Sequence, residues 1–220
     1  MSIKEILHEI RNSLPGNVTL VAVSKTKPVS DLMQAYEAGQ RIFGENKIQE
    51  MAEKFEAMPK DIQWHMIGHV QTNKVKFMAP FVSLIHGVDS LKLLEEINKQ
   101  AKKNDRVIDC LLQMHIAEEE TKFGLNEEEL NEILNELHKN EFGNIQIIGL
   151  MGMATFTENQ SQIKKEFLHL KSIFDDLVKQ PTTQNLQPTT LSMGMSGDYQ
   201  LAIECGSTMI RIGSSIFGGR

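Results

Sequence analysis

Apolar and polar positions along the chain fall into two alternating rhythms. Ile3, Ile6, Leu7, Ile10 and Leu14 repeat at helical spacing and stop at Pro15-Gly16, which predicts an amphipathic helix near the N-terminus. Residues 19–24, Thr-Leu-Val-Ala-Val-Ser, then read as a strand apolar on both faces, the pattern of a parallel strand covered on both sides. The pair recurs down the chain. Helices are expected over 30–38, 46–57, 72–79 and 198–205, and from a Ser90 cap through Leu91, Leu94, Ile97 and Ala101. Two more carry the stripes Leu130, Ile133, Leu134, Leu137 and Ile163, Phe167, Leu170, Phe174, Leu177. Strand patterns lie between them at 41–44, 63–67, 82–86, 107–116, 145–151, 190–193 and 209–212. Residues 180–190 are polar and broken by prolines, which reads as a loop.

Strict alternation requires a parallel sheet, and eight βα units predict a single closed (β/α)8 barrel domain over residues 1–220. An open doubly wound sheet is the alternative, but the first βα turn, Ser24-Lys25-Thr26-Lys27-Pro28, lacks the glycine fingerprint of a dinucleotide site. The 220 residues are 40% hydrophobic and 24% charged, which suits one well-packed core and excludes global disorder. A net charge of −6 argues against a nucleic-acid partner. No apolar run approaches the roughly 20 residues that span a bilayer, so no membrane partner is expected. Two cysteines, Cys110 and Cys205, make no disulfide framework, and the N-terminus has no signal-peptide layout; a cytoplasmic protein is expected. Residues 118–141 hold nine Glu against two Lys, read as a solvated helix face. No helix is apolar around its whole circumference, which favours a monomer.

Chemistry in such a barrel sits where the strands end. Val21, Val23 and Lys25 share one face of the first strand. If that face looks inward, Lys25 caps the interior, and a partly desolvated amine there suits Schiff-base chemistry; the alternative is a solvated lysine. The second strand ends in Gly44-Glu45-Asn46, the third in His65-Met66-Ile67-Gly68-His69. Asn46 and His65 could bond a ring substituent, or serve as a cap and a core partner. Met151, Met153, Met193 and Met195 gather where the sixth and seventh strands end, as packing or as the wall of a flat apolar pocket. Ser192–Asp198 and Arg211–Gly218 are rich in glycine and serine at the usual phosphate cradle of this barrel, with Ser196, Gly213 and Ser214 fitting that role; the alternative is that these residues merely turn the chain. Arg211 is an inward candidate on the last strand and needs an acceptor partner there.

These residues carry a resemblance. Ala22-Val23-Ser24-Lys25-Thr26-Lys27-Pro28, Phe43-Gly44-Glu45-Asn46, Trp64-His65-Met66-Ile67-Gly68 and Gln71-Thr72-Asn73-Lys74 resemble the pyridoxal-phosphate homeostasis protein family. The tail motifs Leu191–Ser196, Gly206-Ser207-Thr208 and Arg211–Gly218 match in the same order. The resemblance implies a single TIM-type barrel like the N-terminal domain of alanine racemase, holding pyridoxal 5′-phosphate (PLP). It implies that Lys25 is the modified lysine, carrying PLP as a Schiff base. Ser196 and the N–H groups of Gly213 and Ser214 would hold the phosphate, and Arg211 would face the pyridine nitrogen. Asn46, His65 and Met193 would line the pocket. An arginine at the ring nitrogen keeps it unprotonated and weakens the ring as an electron sink.

Two classes of function follow. The first is a PLP carrier or regulator serving intracellular PLP homeostasis and amino-acid/keto-acid balance without robust turnover, with PLP-dependent apo-enzymes as possible recipients. Its motivation is that eight βα units consume the 220 residues, leaving no second domain to supply an opposing acid–base group. The second is a small PLP enzyme such as an amino-acid racemase, or a Schiff-base aldolase using Lys25.

Overall fold

Strand β1 (Thr19–Val23) places Leu20 and Ala22 on one face and Val21 and Val23 on the other, and each face meets a different core. In the computed structural model, which describes residues 1–118, 123–139, 142–180 and 185–219, β1 pairs in parallel with β2 (Ile42–Glu45) and with β8 (Met209–Ile212). Strands β3 (Gln63–Met66), β4 (Leu84–Val88), β5 (Ile108–Gln113), β6 (Ile145–Met151) and β7 (Leu186–Ser192) complete a closed barrel in the order β1 to β8. The expected (β/α)8 barrel is therefore what the chain forms.

Helices α1 (Ile3–Ser13), α2 (Val29–Glu37), α3 (Ile48–Ala57), α4 (Leu91–Lys103), α5 (Glu127–Lys139), α6 (Gln160–Val178), α7 (Tyr199–Glu204) and α8 (Ser214–Phe217) accompany the strands. Their starts are written locally. Ser2 and Glu5 form a reciprocal capping box on α1, Ser90 accepts from the Leu93 N–H at the head of α4, and Asn159 caps α6. Glu127, Glu128 and Glu129 lie exposed in the first turn of α5, the solvated face expected of the acidic segment; its residues 119–122 and 140–141 lie outside the described ones.

The main core fills the layer between wall and helices. Phe43 and Trp64 point outward from neighbouring strands with ring centroids 5.9 Å apart, and Phe167 of α6 is fully buried. Burying each such aromatic ring contributes about 2–3 kcal/mol. A smaller core of Val21, Leu84, Leu111, Met151 and Met209 plugs the barrel from inside.

Several boundaries differ from the sequence expectation, and the strand expected over 107–116 already ends at Gln113. Within 72–79 the chain makes a short 3-10 helix (Thr72–Phe77) in place of an α-helix, and Pro80, which has no N–H to give, follows it. The expected strand at 82–86 sits two residues later. The stretch 180–190 is not all loop: β7 begins at Leu186, while 181–184 lie outside the described residues. Leu186 pairs with Ile147 and Thr190 with Gly149, so three β7 residues oppose one of β6. Pro188, which has no N–H to give the ladder, is accommodated in that bulge. Among the described residues no helix is long and apolar enough to cross a membrane.

Candidate functional site

Alternation along the strands builds the site in layers. Above the apolar plug, the next inward positions are polar: His65 on β3, His86 on β4, Ser192 on β7 and Arg211 on β8. All four are buried. They form one chain. His65 Nδ1 lies 3.0 Å from His86 Nε2, His86 Nδ1 lies 3.1 Å from Ser192 Oγ, and Arg211 donates to Ser192 Oγ at 2.6 Å. The guanidinium also donates to the Gly152 carbonyl at 3.1 Å, which supplies the acceptors that a buried arginine needs. A guanidinium has donors only, so Ser192 Oγ must accept from it. The arrangement that uses every proton then runs Ser192 O–H to His86 Nδ1, and His86 Nε2–H to His65 Nδ1.

Burial sets the charge states of this layer. Desolvation lowers the His65 pKa to about 3. Desolvation also takes His86 well below the ordinary value, reinforced by His65 and by the Arg211 charge. Both imidazoles are thus neutral at physiological pH. Burial lowers Arg211 to about 10, so it stays cationic.

The layer above opens into a cavity of about 530 Å³ at the C-terminal end of the barrel. Its lining brings together Lys25, Asn46, Ser196, Arg211, Gly213 and Ser214. Lys25 continues the inward parity of Val21 and Val23. Asn46 is set by close backbone packing, since a Cβ on Gly68 would stand 2.5 Å from the Asn46 carbonyl oxygen. The loops after β7 and β8 meet where the Gly213 N–H donates to Ser196 Oγ at 3.3 Å. A Cβ on Gly213 would press within 3.1 Å of Val23, so glycine is what lets this loop lie against β1. The cavity lining also includes Met153, Ala154 and Met195.

Two expected pocket residues lie elsewhere. His65 is one inward step too deep: Ile67, two residues on, lines the cavity, while His65 sits in the polar layer beneath. Met193 is fully buried in the outer core, whereas Met195 lines the cavity. Gly194, at φ 97°, breaks the alternation between them. Likewise Met151 plugs the barrel interior while Met153 reaches the cavity. Sequence reasoning missed His86 and Ser192. Their only signal was inward parity on strands at the same height.

The residues present suit a phosphorylated aromatic aldehyde. A primary amine, a small-residue loop pair with hydroxyl and N–H donors, and a buried cation converge on one cavity from β1, β7 and β8. The family described as alanine racemase, N-terminal domain, matches residues 2–220. A pyridoxal phosphate homeostasis protein of Aquifex aeolicus is 39% identical over 202 residues, covering 91% of this chain and 86% of the relative. One from Homo sapiens is 41% identical over 212 residues, covering 91% of this chain and 76% of the relative. Among solved structures, PipY of Synechococcus elongatus PCC7942 with PLP bound is 34% identical with a TM-score of 0.89, and the match covers 99% of this chain and 100% of that one. Alanine racemase from E. faecalis, 16% identical with a TM-score of 0.79, shares the fold over 58% of its own length. A homeostasis-protein relationship spanning nearly the whole chain, on this barrel, places the protein in the pyridoxal phosphate homeostasis protein family.

Proposed function

We propose that the protein binds pyridoxal 5′-phosphate on Lys25 and serves PLP homeostasis as a carrier or regulator without robust turnover. The observation that carries this reading is the convergence of Lys25, Arg211 and the Ser196–Gly213–Ser214 cluster on a single cavity. Solved PipY with PLP bound and the names of the curated relatives support it. When bound, PLP supplies an aldehyde that condenses with a primary amine and a ring that can delocalise negative charge.

The chain's own groups divide the work. Lys25 supplies the amine. Ser196 and the N–H groups of Gly213 and Ser214 take the phosphate, with Asn46 lining the wall near Lys25. Arg211, held by Ser192 and Gly152, presents only donors and so favours an unprotonated ring nitrogen. That choice weakens the ring as an electron sink. The neutral histidines beneath add no second cation.

The side chains around the cavity also bear on turnover. Among the described lining residues the ionisable groups are Lys25, Lys27, Asp198 and Arg211. Lys27 is engaged elsewhere, donating to the carbonyls of Phe217 at 3.0 Å and Gly219 at 2.9 Å. Asp198 accepts from the Met195 N–H at 2.6 Å. A two-base racemisation needs proton donors on both faces of a substrate α-carbon, and Lys25 supplies one. Handing PLP on to apo-enzymes is the partner step this reading implies. The test pairs a PLP titration, read by the imine absorbance, with racemase and transaminase assays on common amino acids. Saturable binding with turnover far below about 1 s⁻¹ is expected; turnover at or above that ordinary enzymic rate would overturn the carrier reading.

A further inference from the structure

Lys25 sits in a turn that should not hold by itself. The Lys27 N–H donates to the Ser24 carbonyl at 3.1 Å, closing a four-residue turn around Lys25 and Thr26. Thr26 has φ 64°. In a turn of this hand the third position belongs to glycine or asparagine, and a β-branched residue there is strained. Such strain persists only where the surroundings over-determine it.

What over-determines it lies on the far side of the barrel wall. Ser24 and Glu45 are fully buried, and Lys54 of α3 is nearly so. Lys54 Nζ donates to the Ser24 carbonyl at 2.8 Å, to Glu45 Oε1 at 2.7 Å and to Glu50 Oε1 at 2.8 Å, which uses all three of its protons. Glu45 Oε1 also accepts from Ser24 Oγ at 2.6 Å. Glu50 Oε1 in turn accepts from the Thr26 N–H at 2.5 Å. The peptide groups on either side of the Lys25 Cα are therefore each gripped from α3, one by Lys54 at its carbonyl, the other by Glu50 at its N–H. None of Glu45, Glu50 and Lys54 lines the cavity. Buried ion pairs add little net stability over apolar residues of similar volume in general, so stability alone does not account for the trio. What the charged trio adds is directional hold on the Lys25 backbone.

We propose that Glu50 and Lys54 are positioning residues for Lys25, fixing its backbone and holding Thr26 in its left-handed conformation so that the amine is presented to the cofactor aldehyde. This rests on the reading of Lys25 as the PLP lysine. Lys54 cannot be removed cleanly, because Glu45 would be left buried with no cation, and its Oε2 already has no partner among the described residues. The informative variant is Glu50→Ala, since Glu50 lies at the edge of the cluster, with Thr26→Gly as the rescue, because glycine adopts this φ without a clamp.

The experiment measures PLP affinity and the rate of imine formation in the full chain for wild type, Glu50→Gln, Glu50→Ala and Glu50→Ala/Thr26→Gly. Glu50→Ala is expected to lose about tenfold in affinity and rate, the scale of a charge-assisted hydrogen bond. Glu50→Gln keeps an acceptor oxygen and should stay within about threefold of wild type. The double variant should recover to a similar level, and urea unfolding of the same four proteins separates that recovery from a change in global stability. A Glu50→Ala protein indistinguishable from wild type, or a loss that Thr26→Gly does not reverse, overturns the clamp. A wild type that forms no imine at Lys25 refutes the functional reading itself, so the two failures are distinct.

Discussion

Acid should unfold this protein through the two histidines beneath the cavity. His65 titrates near 3 in the folded chain and His86 well below its ordinary value, both because burial penalises the imidazolium. In the unfolded chain each returns to about 6.5. Their folded values are depressed, so the stability they lend is fully present above about pH 6.5 and drains as the pH falls toward 3. At pH 5 the unfolded state has taken up nearly one proton per histidine that the folded state refuses. For His65 the loss between pH 7 and pH 5 is then about 2 kcal/mol, and His86, whose value is lowered in the same direction, adds to it. That is a large share of the ~5–15 kcal/mol stability of a typical domain. Glu45, raised by burial against the pull of Lys54 and Ser24, and Asp109, also raised by burial, change stability in the opposite direction as the pH falls. The assay therefore compares urea unfolding of wild type, His65→Gln and His86→Gln at pH 7, 6 and 5, so that all other titrations cancel. His65→Gln should show a pH dependence shallower than wild type by about 2 kcal/mol over this range, and His86→Gln should be shallower in the same direction. Variants with the wild-type slope would refute the buried, neutral pair.

Three further outcomes follow from the same geometry. Ser196→Ala should weaken PLP binding about five- to tenfold with an unchanged unfolding midpoint, by absorbance titration and urea melts; unchanged affinity would remove Ser196 from the phosphate cradle. Gly149 adopts φ 153° and a Cβ there would collide with the Thr190 carbonyl, so Gly149→Ala should cost more than about 3 kcal/mol in denaturant unfolding. The directed chain from Arg211 predicts that His65 and His86 both carry their proton on Nε2, which long-range 1H–15N correlation spectra read directly. An Nδ1–H signal for His86 would contradict it.

Much of this was legible in the sequence, for reasons that locate what was not. Alternating stripes and apolar runs report which face of an element is covered, and in a βα repeat that suffices to close the barrel. The shared parity of Val21, Val23 and Lys25 carried Lys25 to the cavity. Glycine and serine after β7 and β8 marked the loops that meet at Ser196 and Gly213. Depth along a strand was not legible. His65 and Ile67 share a face, and only barrel geometry decides which of them reaches the cavity. Met193 was misplaced because Gly194 turns the chain against its strand rhythm, and the start of β7 was hidden by Pro188 inside a bulge. The polar layer joins His86 to Ser192 across 106 positions, and no local pattern encodes that contact. Glu50 and Lys54 carry only helical i, i+4 spacing in the sequence, and that spacing does not report burial. Their burial against Ser24 and Glu45 is a tertiary fact.

The central claim is that Lys25 holds the cofactor. It is tested most directly by incubating the protein with PLP, reducing with borohydride and mapping the pyridoxyl group by peptide mass spectrometry, beside a Lys25→Ala control. One stoichiometric label on the peptide containing Lys25 is expected, and none on the control. Equal labelling of the control, or a label distributed over other lysines while Lys25 stays unmodified, would contradict it.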